Sequence, residues 1–163
     1  MRTVDVSSGS TAALPPDPRQ GRYLIFRLAG QELGVRVSKV REVMGLPRIT
    51  PVTGAPAHVC GLLELRGRLI PVVDLRRQFG LAGPAGPGHP CLIVVQVESG
   101  LGGQAGILAD SILQVAHLTG SDIESPPWPG PAALLGCARL DGAVQLLLEP
   151  DRLPALPHFD TVQ

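Results

Sequence analysis

One pattern occurs twice in this chain, and it confines the fold to β structure built from paired units. The first copy is Gly61-Leu62-Leu63-Glu64-Leu65-Arg66-Gly67-Arg68-Leu69-Ile70-Pro71-Val72-Val73-Asp74-Leu75-Arg76. Two apolar runs are broken by Arg66-Gly67-Arg68, whose glycine can adopt a positive φ, so the stretch predicts two antiparallel strands joined by a tight turn. Alternation puts Leu63 and Leu65 on one face and Glu64 and Arg66 on the other. Pro71 has no N–H to give to a ladder, which places its strand at a sheet edge or at a bulge. From Asp74 to Gly80 the pattern predicts one helical turn, capped by Asp74 and stopped by Gly80. The second copy runs from Gly136 to Asp151 and keeps Gly136 and Gly142 at the spacing of Gly61 and Gly67. Its Asp141-Gly142 is a strong hairpin signal, and Glu149 falls where Asp74 stands in the first copy.

A second pair of segments also matches, in the same order within each half: Gly34 to Val43 and Gly106 to Val115. In both, a glycine is followed by small or apolar residues at the first, third, sixth and ninth positions. This predicts a strand passing into a short helix, with Ser38 or Asp110 at its cap. The two matches together point to an internal duplication, two similar β units of roughly 60 to 70 residues packed into one globule.

In chain order, residues 1–21 are rich in Ser, Thr, Pro and Ala and read as a disordered arm. Tyr23 to Leu28 reads as a strand, Ala29 to Glu32 as a turn, and Leu33 to Val37 as a second strand. Ser38 to Met44 is expected to be a short helix with Val40 and Val43 facing the core and Arg41 and Glu42 outward. Prolines 47, 51 and 56 make the segment from Leu46 to Val59 an irregular connection. Leu81 to Pro90, built of Gly, Pro and Ala, reads as a loop between the halves. Cys91 to Val97 reads as a strand buried on both faces, Gly100 to Gly103 as a turn and Gln104 to Ala109 as the next strand. The proline-rich stretch around Trp128 reads as a surface loop, Pro150 to Leu156 as a short terminal helix, and 157–163 as a fraying tail.

Composition removes several functional classes. The formal net charge over 163 residues is zero, whereas a nucleic-acid module draws its affinity from neutralised phosphates and needs a basic face. Tyr23, Phe26, Phe79, Trp128 and Phe159 are too sparse to form base-stacking platforms. No apolar run approaches the roughly 20 residues that span a bilayer, and no signal-peptide pattern opens the sequence, so a cytosolic protein is expected. Cys60, Cys91 and Cys137 are isolated, which fits reduced thiols rather than a disulfide framework or a zinc site. His58, His89, His117 and His158 have no partner at ligand spacing, and Ser111 beside Asp110 lacks the rest of a nucleophilic set. The sequence offers no catalytic set, no cofactor motif and no metal cluster.

What remains is Arg66 at a hairpin tip, sharing a face with Glu64, and Glu42 exposed on its short element. Such residues are more often solvated than binding. A tip arginine near an interrupted strand edge is nonetheless placed where a partner strand or helix can approach.

The run Val59 to Arg76 resembles the signature of the CheW family, the coupling proteins of bacterial chemotaxis arrays. That family shows Gly, two apolar residues, Asn-Leu-Arg-Gly, then an apolar run ending Pro-apolar-apolar-Asp-Leu-Arg. The resemblance extends from about Tyr23 to Leu153 through Phe26-x-Leu28, Gly34-Val35, Val40-Arg41-Glu42-Val43, Gly106 to Val115 and Leu135 to Leu148. It implies an all-β fold of two packed SH3-like five-stranded β-barrels, spanning residues 22–156. It further implies a cytoplasmic adaptor at receptor arrays on the inner face of the membrane. Such an adaptor joins the tip of a methyl-accepting chemoreceptor to the regulatory domain of a CheA-type histidine kinase, with ring assembly among CheW-like domains. Val40, Glu42 and Arg66 match family positions implicated in coupling, and Glu64 and Gly67 flank them as partner-binding candidates. Three positions depart from the pattern: Glu64 replaces the usual Asn, His58 an aromatic, and Thr53 a proline. Glu64 is thereby expected beside Arg66 as a competing carboxylate. Two alternatives stand beside the adaptor: a receptor-binding decoy without kinase contact, and a small-ligand or nucleic-acid-binding barrel, which neutral charge and aromatic poverty disfavour.

Overall fold

The computed structural model describes residues 17–98, 103–126 and 130–153. Its strands are β1 (Gly21–Leu28), β2 (Gln31–Arg36), β3 (Val40–Gly45), β4 (Val59–Leu65), β5 (Arg68–Val73), β6 (Cys91–Gln96), β7 (Gln104–Ala109), β8 (Ser111–Leu118), β9 (Ile123–Glu124), β10 (Leu134–Leu140) and β11 (Ala143–Leu148). A single-turn helix, α1 (Leu75–Phe79), follows β5. The strands form two sheets, ordered β8-β1-β2-β11-β10-β9 and β3-β6-β7-β5-β4.

This order exchanges strands between the two sequence repeats. The first repeat supplies β1 to β5 and the second β6 to β11. Yet β1 and β2 pair with β8 and β11 of the second repeat, while β6 and β7 pair with β3 and β5 of the first. The two parallel seams are equivalent. Gly34 of β2 faces Leu147 of β11, and Gly106 of β7 faces Val72 of β5. A side chain is excluded from both glycines by neighbouring leucines: a Cβ on Gly34 would lie 2.9 Å from Leu147 Cδ2, and one on Gly106 3.1 Å from Leu92 Cδ1.

The duplication also extends to irregularities. A bulge sits at Arg41, where Val40 pairs with Val95 and Glu42 with Val94, and its counterpart sits at Leu113, where Ile112 pairs with Phe26 and Gln114 with Ile25. Further bulges at Cys60 and Leu135 precede Gly61 and Gly136. Both hairpin turns have the same backbone, with Arg66 and Gly67 at φ 52° and 79° and Asp141 and Gly142 at 53° and 80°. Positive φ at both positions is the two-residue turn whose twist suits antiparallel strands.

Because the strands are shared, so is the core. The largest cluster takes Leu24, Phe26, Leu33 and Val35 from the first sheet and Val59, Val73, Ile93, Val95 and Ile107 from the second. Each barrel then keeps a smaller interior, Tyr23, Ile25, Ala116, Leu118 and Leu147 in one and Leu63, Ile70, Val72, Leu92 and Val94 in the other. As expected for Cys91 to Val97, β6 is buried on both faces, and β1 is as well from Tyr23 to Phe26.

Several elements differ from the sequence reading. Ser38 to Met44 is not a helix: a 3-10 turn at Val37–Lys39 leads into β3. Val40 therefore packs on the shared core and Met44 on its own barrel's interior, while Val43 is 43% exposed. Val40-Arg41-Glu42-Val43 satisfies a spacing of three as well as of two, and the open edge of β6 supplies the ladder bonds that select the strand. Asp110 likewise caps no helix, since β8 follows at once. Its carboxylate instead accepts the Ala29 N–H at 2.8 Å. The turn between the first two strands is only Ala29-Gly30, and β2 already starts at Gln31.

β5 lies inside its sheet, with β4 at the edge. Its parallel pairing to β7 begins at Val72, so the missing N–H of Pro71 falls just before that ladder starts. Capping is as expected after β5, where Asp74 accepts from the Arg76 N–H and Gly80 is left-handed. Glu149 plays the same part for a 3-10 turn at Pro150–Arg152, which takes the place of the expected terminal helix.

Two connections are held closely. Thr50 exchanges backbone hydrogen bonds with Leu62 at 2.9 and 2.8 Å, pinning the proline-rich segment onto the edge of β4. The Leu81 to Pro90 loop presses its glycines onto the other barrel: a Cβ on Gly83 would be 2.2 Å from Ala29 O, and one on Gly88 2.5 Å from Ser111 Cβ. Asp17 to Gln20, at the end of the expected arm, form a turn held by Arg36, which donates to the Pro18 and Gln20 carbonyls. Residues 1–16, most of the Gly100–Gly103 turn, Trp128, 154–156 and the 157–163 tail lie outside the described residues.

Two glycines on one hairpin should respond differently to alanine. At Gly67 the added methyl meets nothing within 4 Å, leaving only the cost of φ at 79°, about 1 kcal/mol. At Gly61 it would lie 2.1 Å from Thr50 O, and relieving that overlap costs about 2–3 kcal/mol. Denaturant unfolding checks this; equal losses would refute the Thr50 contact.

Candidate partner-binding site

The structure brings Glu42 and Arg66 together. The bulge at Arg41 returns Glu42 to the inward face of β3, half-buried, while the Arg66-Gly67 turn carries Arg66 beyond the end of β4 with 70% of its side chain exposed. Arg66 Nη1 donates to Glu42 Oε1 at 2.8 Å. β3 and β4 are the first and last strands of their sheet, so this contact spans the seam where the barrel closes without a backbone ladder between them. Val40, the first residue of β3, lies before the bulge, pairs with Val95 and packs on the shared core, whereas Glu42 pairs with Val94, whose side chain belongs to this barrel's own interior.

Glu64 was the carboxylate expected beside Arg66. It is exposed on β4 opposite Leu69, and among the described residues it forms no ion pair with Arg66. The acid that Arg66 takes comes instead from β3, 24 residues earlier, a tertiary pairing that local alternation cannot reveal. Gly67 stands at the turn as expected. On neighbouring segments of the same sheet Val43, Leu46 and Leu69 are 43%, 54% and 59% exposed.

The second barrel holds a counterpart that the sequence reading missed. Gln114 and Asp141 occupy the positions of Glu42 and Arg66 in the other repeat, and Gln114 Nε2 donates to Asp141 Oδ2 at 3.4 Å across the equivalent seam. The signal was present in the matching of Gly106–Val115 to Gly34–Val43. One seam thus carries an ion pair and the other a long, singly charged hydrogen bond.

The Arg66 hydrogen bond holds the Glu42 carboxyl below its ordinary value of 4.5 and raises the guanidinium above its own. A depressed carboxyl contributes its pairing fully above the unfolded-state value and loses it as pH falls through the folded one. The Glu42–Arg66 contact therefore holds unchanged through the neutral range and opens only in acid. At α1, burial pulls the Asp74 carboxyl upward, but hydrogen bonds from the Arg76 side chain and N–H outweigh it and hold Asp74 low. Burial raises the thiols of Cys60, Cys91 and Cys137 above their ordinary range, which keeps them protonated at neutral pH.

With this geometry in hand, the comparisons with known proteins agree with one another. The family model described as CheW-like domain matches residues 22–156. The "Chemotaxis protein CheW" of Rhizobium meliloti (strain 1021) is 35% identical over 108 residues, 66% of this chain and 68% of the relative. The "Protein FrzA" of Myxococcus xanthus is 34% identical over 131 residues, covering 77% and 80%. The crystal structure of the scaffolding protein TtCheW from Thermoanaerobacter tengcongensis superposes with a TM-score of 0.72 at 27% identity, covering 82% of this chain and 86% of that one. The fold defines a protein of two paired SH3-like β-barrels. The chain belongs to the CheW-like domain family.

Carboxyl carbon-13 NMR should place the Glu42 titration below 4.5 and return it toward that value in Arg66→Ala. A wild-type titration at or above the ordinary value would show that the pair does not form in solution.

Proposed function

We propose that this chain is a non-catalytic cytoplasmic adaptor, with residues 22–156 as the unit that couples a methyl-accepting chemoreceptor tip to the regulatory domain of a CheA-type histidine kinase. Membership of the CheW-like family supports the class of function. The observation that carries the site is the exposed Arg66 held by Glu42 at the barrel seam, with Val40 two residues before Glu42 on β3. A guanidinium fixed on one side by a carboxylate still presents its remaining N–H donors outward, and it can accept a partner's acid without first being ordered. Glu64 and Gly67 shape the rim of this face. No helix among the described residues is long and apolar enough to cross a membrane, which fits an adaptor recruited to membrane receptors through protein contacts.

Replacing Arg66 by Ala removes an exposed pair and should leave the thermal midpoint within about 2 °C of wild type. Binding should weaken roughly thirtyfold, the scale for losing a hydrogen-bonded charge at an interface centre. Arg66→Glu should be worse, because it sets a second carboxylate against Glu42 as well as against the partner's acid. Affinities for a receptor-tip fragment and for the kinase regulatory domain are to be measured separately. Undiminished binding to both in either variant would sink the assignment, and binding to the tip alone in wild type would make the protein a decoy.

A further inference from the structure

The chain crosses between barrels at Val37–Lys39, immediately before Val40 and Glu42. β3 is an edge strand whose only ladder neighbour among the described residues is β6, and its register is broken by the bulge at Arg41. Its first residue therefore has a backbone ladder on one side only. Lys39 supplies a second anchor. Its ammonium donates to Asp151 Oδ2 at 2.7 Å and lies 3.8 Å from Glu98 Oε2. The other Asp151 oxygen accepts the Glu98 N–H at 2.8 Å. One carboxylate, in the turn after β11 of the first barrel, thus grips both the residue before β3 and the residue two positions past β6 in the second barrel.

The ion pair is largely shielded, with Lys39 and Asp151 side chains 19% and 25% exposed. Burial alone would raise the Asp151 carboxyl, and the hydrogen bonds from Lys39 and the Glu98 N–H keep it low. Lys39 is raised in turn by Asp151. The pair stays charged throughout the neutral range.

We infer that Lys39 and Asp151 are positioning residues, an inter-barrel clasp that fixes the start of β3 and so sets where Val40 and Glu42 meet a partner. This rests on the adaptor reading above, whose site it serves without belonging to it. The clasp ties that site to the opposite barrel. A shift between the barrels moves Glu42 relative to Arg66, because Arg66 is held by its own hairpin while β3 is held through Asp151.

The test uses the full chain carrying Lys39→Met, the near-isosteric Asp151→Asn, and Lys39→Arg. Binding to a receptor-tip fragment and to a kinase regulatory domain is measured beside amide hydrogen exchange, with Arg66→Ala as the control for the site itself. Lys39→Met and Asp151→Asn are expected to speed exchange at Val40 to Val43 and to weaken, on the order of tenfold, the same partner that Arg66→Ala weakens. Lys39→Arg should restore both. If Lys39→Met fails to fold, Asp151→Asn carries the measurement. Folded variants that bind as wild type, or in which only the thermal midpoint falls while β3 exchange is unchanged, overturn the clasp. Should wild type bind neither partner, the adaptor reading fails, and β3 exchange alone decides whether the clasp positions that strand.

Discussion

Everything in this fold depends on two parallel strand pairings, β2 with β11 and β5 with β7. A duplicated chain could have folded as two separate units, each repeat closing on itself. Here the parallel seams join strands from different repeats, so neither barrel exists until both repeats are present. The glycines at the seams make this possible. Gly34 and Gly106 leave room for the leucines packed against them, and a larger residue at either would push those side chains away from the seam. The shared core follows, because β1 and β6 present one face to their own barrel and the other to the neighbour, and must be apolar on both.

Exchange also lets the repeats diverge without losing the fold. Ile70 lies in the interior of one barrel, while its counterpart Gln145 is buried in the other, donating to Glu32 at 2.8 Å. The closing contacts diverge in the same way, Glu42–Arg66 against Gln114–Asp141. Backbone geometry at the two turns is nearly identical, so the difference resides in side chains alone. The backbone is symmetric, and the repeats differ in side chains both in the barrel interior and at the closing contacts.

Much of this was legible in the sequence, for identifiable reasons. Glycine and its spacing report backbone geometry directly, so the hairpin turns, the caps at Asp74 and Glu149 and the duplication could all be read. β6 announced itself by an unbroken apolar run. Val40 to Val43 could not be settled in this way, since its spacing serves a helix or a strand and only the free edge of β6 decides. Pro71 was read as marking a sheet edge or a bulge because proline cannot donate, but the ladder on that side begins one residue later. Arg66 was correctly placed at an exposed tip, and its partner was not, because Glu64 is near in sequence whereas Glu42 is near only after the barrel closes. Long-range side-chain pairing of this kind has no periodicity to betray it.

The two crossovers between barrels show how the exchange is held in register. At one, Asp110 accepts the Ala29 N–H while its own N–H is given to Arg27 O at 2.8 Å. At the other, Lys39 reaches Asp151. Each crossover is short, with no room for a flexible linker, and each is pinned by a carboxylate across the barrel boundary. Beside the first crossover, Gly83 and Gly88 press the Leu81–Pro90 loop onto the Ala29-Gly30 turn and onto Ser111. A pair of barrels joined only by apolar contact could slide, because burial is non-directional. Charged and backbone hydrogen bonds are directional, and placing them at the crossovers removes that freedom where the chain passes from one barrel into the strand that carries Glu42.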